Sequence, residues 1–264
     1  MLNNKKIVVV MPAYNAESTL EQTHLDICKD IVDDIILTDD ASTDNTKLIS
    51  EKLNITTILH TENKGYGANQ KSCYIAALQA GADIIIMLHP DYQYTPKLVP
   101  AIAAMLAFGE YDVVIASRML TGSALKGGMP LYKWISNKFL TAFQNFLNGE
   151  HLSEYHTGFR GFTKEVFEKI PIEDFDDDFI FDNQFLSLAV YHKYKIGEIS
   201  CPTKYFPEAS SINFVRSCKY GLGVLQNSIL YFLAHLGIYK SKIYGRNAKK
   251  LDTDKELNYF YRKK

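Results

Sequence analysis

Residues 83–93 read Asp-Ile-Ile-Ile-Met-Leu-His-Pro-Asp-Tyr-Gln. The apolar run from Ile84 through Leu88 is the pattern of a strand covered on both faces, which places it inside a sheet flanked by helices. Pro90 has no N–H to give to a ladder, so the strand ends there and Asp91 stands just past its carboxyl end. In an open α/β sheet that edge is where ligands bind. A carboxylate at that spot is well placed to hold a divalent cation against a diphosphate. The competing reading of Asp91 alone is a cap for the helix that begins near Pro96.

Four more strands follow the same logic. Residues 7–11 form a β-branched run that leads into the turn Pro12-Ala13-Tyr14-Asn15, with a helix expected from about Ser18. Residues 34–38 form a second strand, ending in Asp39-Asp40-Ala41-Ser42-Thr43-Asp44. Ser42 or Asp44 can cap the next helix, which explains one acid and leaves the others. Asp39 and Asp40 suit hydrogen bonds to ribose hydroxyls or base N–H groups, against a plain turn role. A third strand over residues 57–60 precedes Asn63-Lys64-Gly65-Tyr66-Gly67, where the glycine pair alone reads as a turn. A fifth strand over 112–116 ends at Ser117-Arg118. Strand and helix thus alternate five times, the signature of a mostly parallel sheet with helices on both faces.

Several function classes drop out. The first strand-to-helix turn has no glycine, which argues against a dinucleotide fingerprint, and no Walker loop is present. Lys and Arg total 29 and Asp and Glu 30, a balance that gives nucleic-acid binding no support. Cys28, Cys73, Cys201 and Cys218 form no zinc spacing and read as reduced packing residues. The amino-terminal residues show no signal-peptide pattern, and no window of about 20 residues is apolar throughout. A cytoplasmic location follows as the expectation, with the membrane surface as an alternative.

The second half is less regular. Residues 120–130 are glycine-rich and polar, hence a loop, and 131–148 carry apolar residues at helical spacing. Residues 174–182 crowd five acids around aromatic side chains before a helix over 183–191. Residues 196–199 read as a strand, and 201–211, with two prolines, as irregular chain. Its 206–213 portion is a candidate loop to close over a donor. Residues 220–239 form a mostly apolar helix, followed by a basic tail with Lys240, Lys242, Arg246, Lys249 and Lys250. A greasy helix followed by cations fits a peripheral membrane contact, or else a helix packed on the body with a solvated tail.

Three motifs in order resemble family 2 glycosyltransferases: Val9-Val10-Met11-Pro12-Ala13-Tyr14-Asn15, then Thr38-Asp39-Asp40-Ala41-Ser42-Thr43-Asp44, then Asn63-Lys64-Gly65-Tyr66-Gly67-Ala68. Thr157-Gly158-Phe159-Arg160 and Pro202-Thr203-Lys204-Tyr205 look like the dolichyl-phosphate mannose synthase-like branch. The resemblance spans roughly residues 6–215. It implies an α/β nucleotide-diphospho-sugar transferase fold of GT-A type, with a catalytic unit over 1–215 and a helix and basic tail over 216–264. It also implies an inverting enzyme that moves a sugar from a GDP- or UDP-linked donor to a polyprenyl phosphate or related acceptor. A soluble hydroxyl acceptor and a catalytically impaired binding relative are the alternatives. Donor contacts are expected from Pro12, Tyr14, Asn15, Asp39, Asp40, Lys64, Gly65, Asp91, Gln93, Arg118 and Lys204. Mg²⁺ or Mn²⁺ is the expected cofactor, held by Asp91 with His89 and Gln93. His89 departs from the family pattern, which has an acid there, and imidazole favours softer ions than Mg²⁺.

Breaking a sugar–nucleotide bond leaves a diphosphate whose growing charge must be stabilised. Arg118, at a strand end, suits a bidentate contact, against a surface ion pair, and Lys204 is a second cation. A hydroxyl acceptor needs a general base, and Glu154 and Asp182 compete for that role. A lipid phosphate, already anionic, would need none, and Arg160 would pair with it, against a buried structural ion pair. His156 reads as a satisfied polar residue. Tyr92 and Tyr94 read as packing or sugar-stacking residues. A nucleotidyltransferase on a similar sheet would want a glycine- and arginine-rich first loop, which Pro12-Ala13-Tyr14-Asn15 does not supply.

Overall fold

Alternation along the first strand sets the layers. Val8 and Val10 face one core with Ile85, Met87, Ile36 and Val113. Ile7, Val9 and Met11 face the other with Ile84, Ile86, Val114 and Ala116. Both sides are closed to water, which is why these strands lack the polar alternation of a half-exposed sheet. Each such side chain stabilises the fold by about 1.5–3 kcal/mol on burial.

The computed structural model describes residues 1–205, 214–239, 241–245 and 248–263. In chain order the elements are β1 (Ile7–Ala13), α1 (Leu20–Asp26), β2 (Asp34–Asp39), α2 (Thr46–Lys52), β3 (Thr56–Leu59), α3 (Tyr66–Gln79), β4 (Ile84–Met87) and α4 (Val99–Ala107), the last entered through a 3₁₀ turn at Pro96–Leu98. There follow β5 (Val113–Ser117), α5 (Ser123–Lys126), α6 (Leu131–Asn148), β6 (Arg160–Thr163), α7 (Glu165–Lys169), α8 (Phe181–Tyr191), β7 (Ile196–Ser200), α9 (Phe214–His235) and β8 (Tyr259–Tyr261). The sheet order is β7-β5-β6-β4-β1-β2-β3-β8. The expected α/β architecture of GT-A type is present, with helices on both faces.

Two features differ from the sequence reading. Fold-switching of direction occurs once inside the sheet: β6 inserts antiparallel between β4 and β5. Its sequence, Arg-Gly-Phe-Thr, does not look like a buried strand because two of its positions serve packing needs of their own. Gly161 has no side chain because Ile102 of α4 presses there, within 2.3 Å of where a Cβ would stand. The expected loop over 120–130 also contains the short helix α5.

The carboxy-terminal residues return across the body. Ile243, Tyr244 and Leu251 are buried in the first core. Lys242 pairs with Asp174 at 2.7 Å, and the Lys249 N–H donates to the same carboxylate at 2.6 Å. β8 then lies antiparallel to β3 at the sheet edge. Lys240, Arg246 and the 206–213 loop fall outside the described residues. Among the described residues, no helix is long and apolar enough to cross a membrane.

Candidate active site

The carboxyl ends of β1, β2 and β4 open on one cavity of about 1110 Å³. Pro12, Tyr14, Asp40, Lys64, Gly65, His89, Asp91, Gln93, Arg118 and Asp182 all line it. Of the expected site residues, Asn15, Asp39, Glu154 and Lys204 are not among its walls.

The β2 turn shows how acids that look alike in sequence do different work. Asp40 accepts from the Lys64 and Gly65 N–H groups at 2.9 and 3.0 Å, and its Oδ1 lies 2.7 Å from His60 Nδ1. Its carboxylate holds the 63–65 turn while itself lining the cavity. Asp44 accepts from the Thr46 N–H at 2.9 Å and serves the first turn of α2, as capping chemistry predicts. Asp39 accepts from Ser42 through Oδ1, while its buried Oδ2 has no partner among the described residues. Burial pushes this carboxyl up, against the Ser42 hydrogen bonds. Asn15 clamps the two turns together: its Oδ1 accepts from the Thr43 N–H at 2.9 Å and its N–H donates to Ser42 Oγ at 2.8 Å.

The glycine pair does more than turn the chain. Gly65 has φ +98°, and a Cβ on Gly67 would come within 2.4 Å of the Asp176 carbonyl. The Gly67 N–H donates to the Asp177 carbonyl at 2.7 Å. The 176–179 loop thus seats on α3 and becomes a cavity wall. The signal was the Gly65-Tyr66-Gly67 spacing, but its partner lies more than a hundred residues away.

Asp91 does not cap the helix near Pro96. Its Oδ1 accepts from the Gln93 N–H at 3.0 Å, in a turn where Tyr92 has φ +54°. That turn aims the two tyrosines apart. Tyr92 hydrogen-bonds Asp26 on α1, away from the cavity, whereas buried Tyr94 lines it.

Asp182, in the first turn of α8, faces the cavity. Its Oδ2 accepts from Tyr66 OH at 2.6 Å and its Oδ1 from Gln70 Nε2 at 3.0 Å. Burial, reinforced by the Asp182 charge, holds the Tyr66 phenol well above its usual pKa, so it remains a donor. His89 Nε2 lies 3.1 Å from the same hydroxyl, and its ring stacks on Tyr66. His89 Nε2 is thereby engaged by the Tyr66 hydroxyl. Burial lowers the His89 pKa, against the pull of Asp91. Among the described residues no three His, Cys, Asp or Glu side chains gather to hold a metal ion. Asp91, His89 and Gln93 all line the cavity, with His89 Nε2 engaged by Tyr66. One carboxylate still fits a cation whose remaining ligands are donor phosphates and water.

Glu154 is fully buried and occupied. It accepts from the Arg118 N–H and Nε, each at 2.8 Å, and from Asn137 Nδ2 at 2.8 Å. Burial alone would raise its carboxyl, but the Arg118 charge and hydrogen bonds outweigh this and hold it below the usual range. It cannot take a proton from an acceptor it does not face, and its expected role as a base is corrected to that of orienting Arg118. Arg118 itself lies at the cavity wall, with Nη1 3.1 Å from Tyr205 OH. Arg160 takes the structural alternative: its guanidinium donates to the Thr157, Asp182 and Tyr155 carbonyls at 2.6, 2.6 and 2.9 Å. Lys204 has an exposed side chain, and its N–H donates to the Gln93 carbonyl at 3.2 Å.

His156 is only half satisfied. Nδ1 lies 2.8 Å from Tyr220 OH, while buried Nε2 has no partner among the described residues. Burial brings its pKa down to about 4. The folded chain keeps this ring neutral where the unfolded chain would bind a proton. The resulting stability is full above pH ~6.5 and is lost as the pH falls toward 4, by up to about 3 kcal/mol. His24 shifts in the same direction, so comparison with a variant isolates the contribution of His156. Urea unfolding of His156→Gln is expected to lose less stability between pH 7.5 and 4.5 than the parent. Equal losses would show that the imidazole is not held neutral.

Residues 8–171 match the profile of Glycosyl transferase family 2. This is more than half of the chain: the protein belongs to that family and is a glycosyltransferase. An uncharacterised protein of Methanocaldococcus jannaschii is 31% identical over 204 residues, covering 77% of this chain and 84% of that protein. UDP-N-acetylglucosamine–dolichyl-phosphate N-acetylglucosaminyltransferase of Methanococcus voltae is 26% identical over 219 residues, covering 76% and 87%. Glucosyl-3-phosphoglycerate synthase of Mycobacterium tuberculosis, solved with Mn²⁺, UDP and glucosyl-3-phosphoglycerate, aligns with a TM-score of 0.65 at 18% identity, over 90% of this chain and 82% of that chain. Its complex with phosphoglyceric acid gives a TM-score of 0.67 at 19% identity, with the same coverage.

The narrower placement in the dolichyl-phosphate mannose synthase-like branch, with its polyprenyl phosphate acceptor, is thereby corrected. Glucosyl-3-phosphoglycerate synthase, which shares the fold, is solved with phosphoglyceric acid, a small water-soluble molecule. The residues that suggested the branch have structural duties here. Arg160 is consumed by backbone carbonyls, and Lys204 points to the surface.

Proposed function

We propose that the protein transfers a sugar from a nucleotide-diphospho-sugar to a hydroxyl group of a small, soluble acceptor. The observation that carries this reading is the convergence of Asp91, Asp182 and Arg118 on one cavity, beside the β1 and β2 turns. The nucleoside would lie against Pro12, Tyr14 and the 63–65 turn, with the unpartnered Asp39 Oδ2 and Asn69 Oδ1 nearby. Asp91 would hold a divalent cation against the diphosphate, as Mn²⁺ and Mg²⁺ accompany UDP in the glucosyl-3-phosphoglycerate synthase structures. Such a cation would supply Lewis-acid neutralisation of the departing diphosphate.

Asp182 takes the acceptor's proton as the hydroxyl oxygen bonds to the anomeric carbon. The carbon–oxygen bond to the diphosphate breaks, and the nucleoside diphosphate leaves with the electron pair. Tyr66 and Gln70 fix the carboxylate's orientation. Arg118, aligned by Glu154, supports negative charge at the cavity wall.

Thermal-shift measurements with UDP-, GDP- and dTDP-sugars, with and without Mn²⁺, test the reading. A ligand present at a hundredfold excess over its Kd stabilises the folded state by about 2.7 kcal/mol. One base series is expected to raise Tm, more so with Mn²⁺, and that donor is expected to yield a glycosylated product from a panel of soluble hydroxy acids. No stabilisation by any donor, or product only with a polyprenyl phosphate, would overturn it.

A further inference from the structure

Two residues before the cavity wall at 176–179 stands a carboxylate whose oxygens are both taken by the carboxy-terminal segment. The Asp174 side chain is 1% exposed, and the Lys242 ammonium, on a side chain 71% exposed, meets its Oδ1 at 2.7 Å. Its Oδ2 accepts from the Lys249 N–H at 2.6 Å. A buried carboxylate is costly without such partners, so Asp174 draws the tail onto this loop. The tail is anchored on either side of that contact. Tyr244 packs its ring on Tyr191 of α8, with centroids 5.1 Å apart. Gln79, the last residue of α3, donates through Nε2 to the Thr253 and Lys255 carbonyls at 2.8 and 2.9 Å. The tail lies well past residue 171, where the family match ends.

From Asp174 the chain runs directly into the wall. Lys71 of α3 donates through Nζ to the Phe175 carbonyl and to Asp177 Oδ1, each at 2.7 Å. The Gly67 N–H is one of the first-turn donors that α3 cannot satisfy itself, and the Asp177 carbonyl accepts it. A Cβ on Gly65 would stand 2.7 Å from that same carbonyl oxygen. The wall and the 63–67 turn are therefore one fitted joint, in which neither shifts alone. Past the wall, α8 is fixed from outside: the side chains of Gln144 on α6 and Asn227 on α9 each meet Asn183 at 2.8 Å. At the other end of the wall, that duty falls to the tail. We propose that the carboxy-terminal segment is a clasp. By holding Asp174 it seats the 175–179 wall against the 63–67 turn, and Lys242 is thereby a positioning residue for nucleotide binding. The binding part of the proposal rests on the reading of that turn as the nucleoside's place.

Hydrogen exchange and nucleotide titration on the full chain, compared between Lys242→Met and Lys242→Arg, test it. The Lys242 side chain is exposed, so neither variant is expected to prevent folding. In Lys242→Met, peptides covering 64–70 and 172–179 are expected to exchange roughly tenfold faster, with β1 and β4 unchanged, and Lys242→Arg is expected to restore the parental rates. A wall seated for less of the time lowers the fraction of binding-competent protein, so the Kd for UDP or GDP, whichever the parent binds with Mn²⁺, is expected to rise roughly three- to tenfold in Lys242→Met and to recover in Lys242→Arg. Turnover is expected to lose in KM for the donor rather than in kcat. Parental exchange in Lys242→Met would overturn the clasp, and so would a uniform rise that included β1 and β4. Local loosening with an unchanged Kd would overturn the role of Lys242 in binding. A parent that binds no nucleotide would overturn the functional reading instead, and the exchange comparison would still decide whether the clasp exists.

Discussion

Asp91→Ala is expected to lower kcat for sugar transfer by roughly 10²–10³-fold, because the departing diphosphate loses the group that anchors its counter-charge. The side chain is not needed for folding: it is partly exposed and its recorded contact is the local one to the Gln93 N–H. The Tm in the absence of donor is therefore expected to stay within a few degrees of the parent. The discriminating measurement is turnover against Mn²⁺ concentration. The parent is expected to saturate, whereas Asp91→Ala is expected to stay low at every concentration. Full activity in the variant would remove Asp91 from the mechanism.

Asp182→Asn is expected to be as damaging, at roughly 10²–10⁴-fold in kcat, because it removes a positioned proton acceptor while preserving volume and one acceptor oxygen for Tyr66. Donor binding, measured as a thermal shift with the nucleoside diphosphate, is expected to persist. That separation is what a base predicts and what a merely structural carboxylate does not. Glu154→Gln supplies the contrast. It leaves the buried Arg118 without a charged partner and is expected to act first on stability, by about 3–5 kcal/mol, the scale for a buried pair broken on one side. If Asp182→Asn retained the parental kcat, the proton would have to leave by another route.

The strands, their order of appearance and the acids at their tips could be read from the chain, because burial on both faces forces uninterrupted runs such as Ile84 to Leu88. The 131–148 helix could be read from its apolar spacing, although that stripe turned out to face outward. Nothing local distinguishes Glu154 from Asp182: the partner that occupies Glu154 is Arg118, just past β5 and 36 residues earlier, and so distant a neighbour leaves no mark on the carboxylate's own segment. β6 was hidden for a related reason, since Arg160 and Gly161 answer to the carbonyls around 155–182 and to α4 rather than to strand propensity. Likewise Asp39 and Asp40 are adjacent and chemically identical, but pleating sends them to different partners, so one holds the 63–65 turn and the other keeps an oxygen spare.

Asn183 follows Asp182 directly on α8, and Asn183 is the residue on which Gln144 and Asn227 converge. The proposed proton acceptor and the outer helix pair are therefore geared to a single tooth. Any load that slides α6 against α9 must either break amide hydrogen bonds or turn the first coil of α8, and with it the carboxylate's aim.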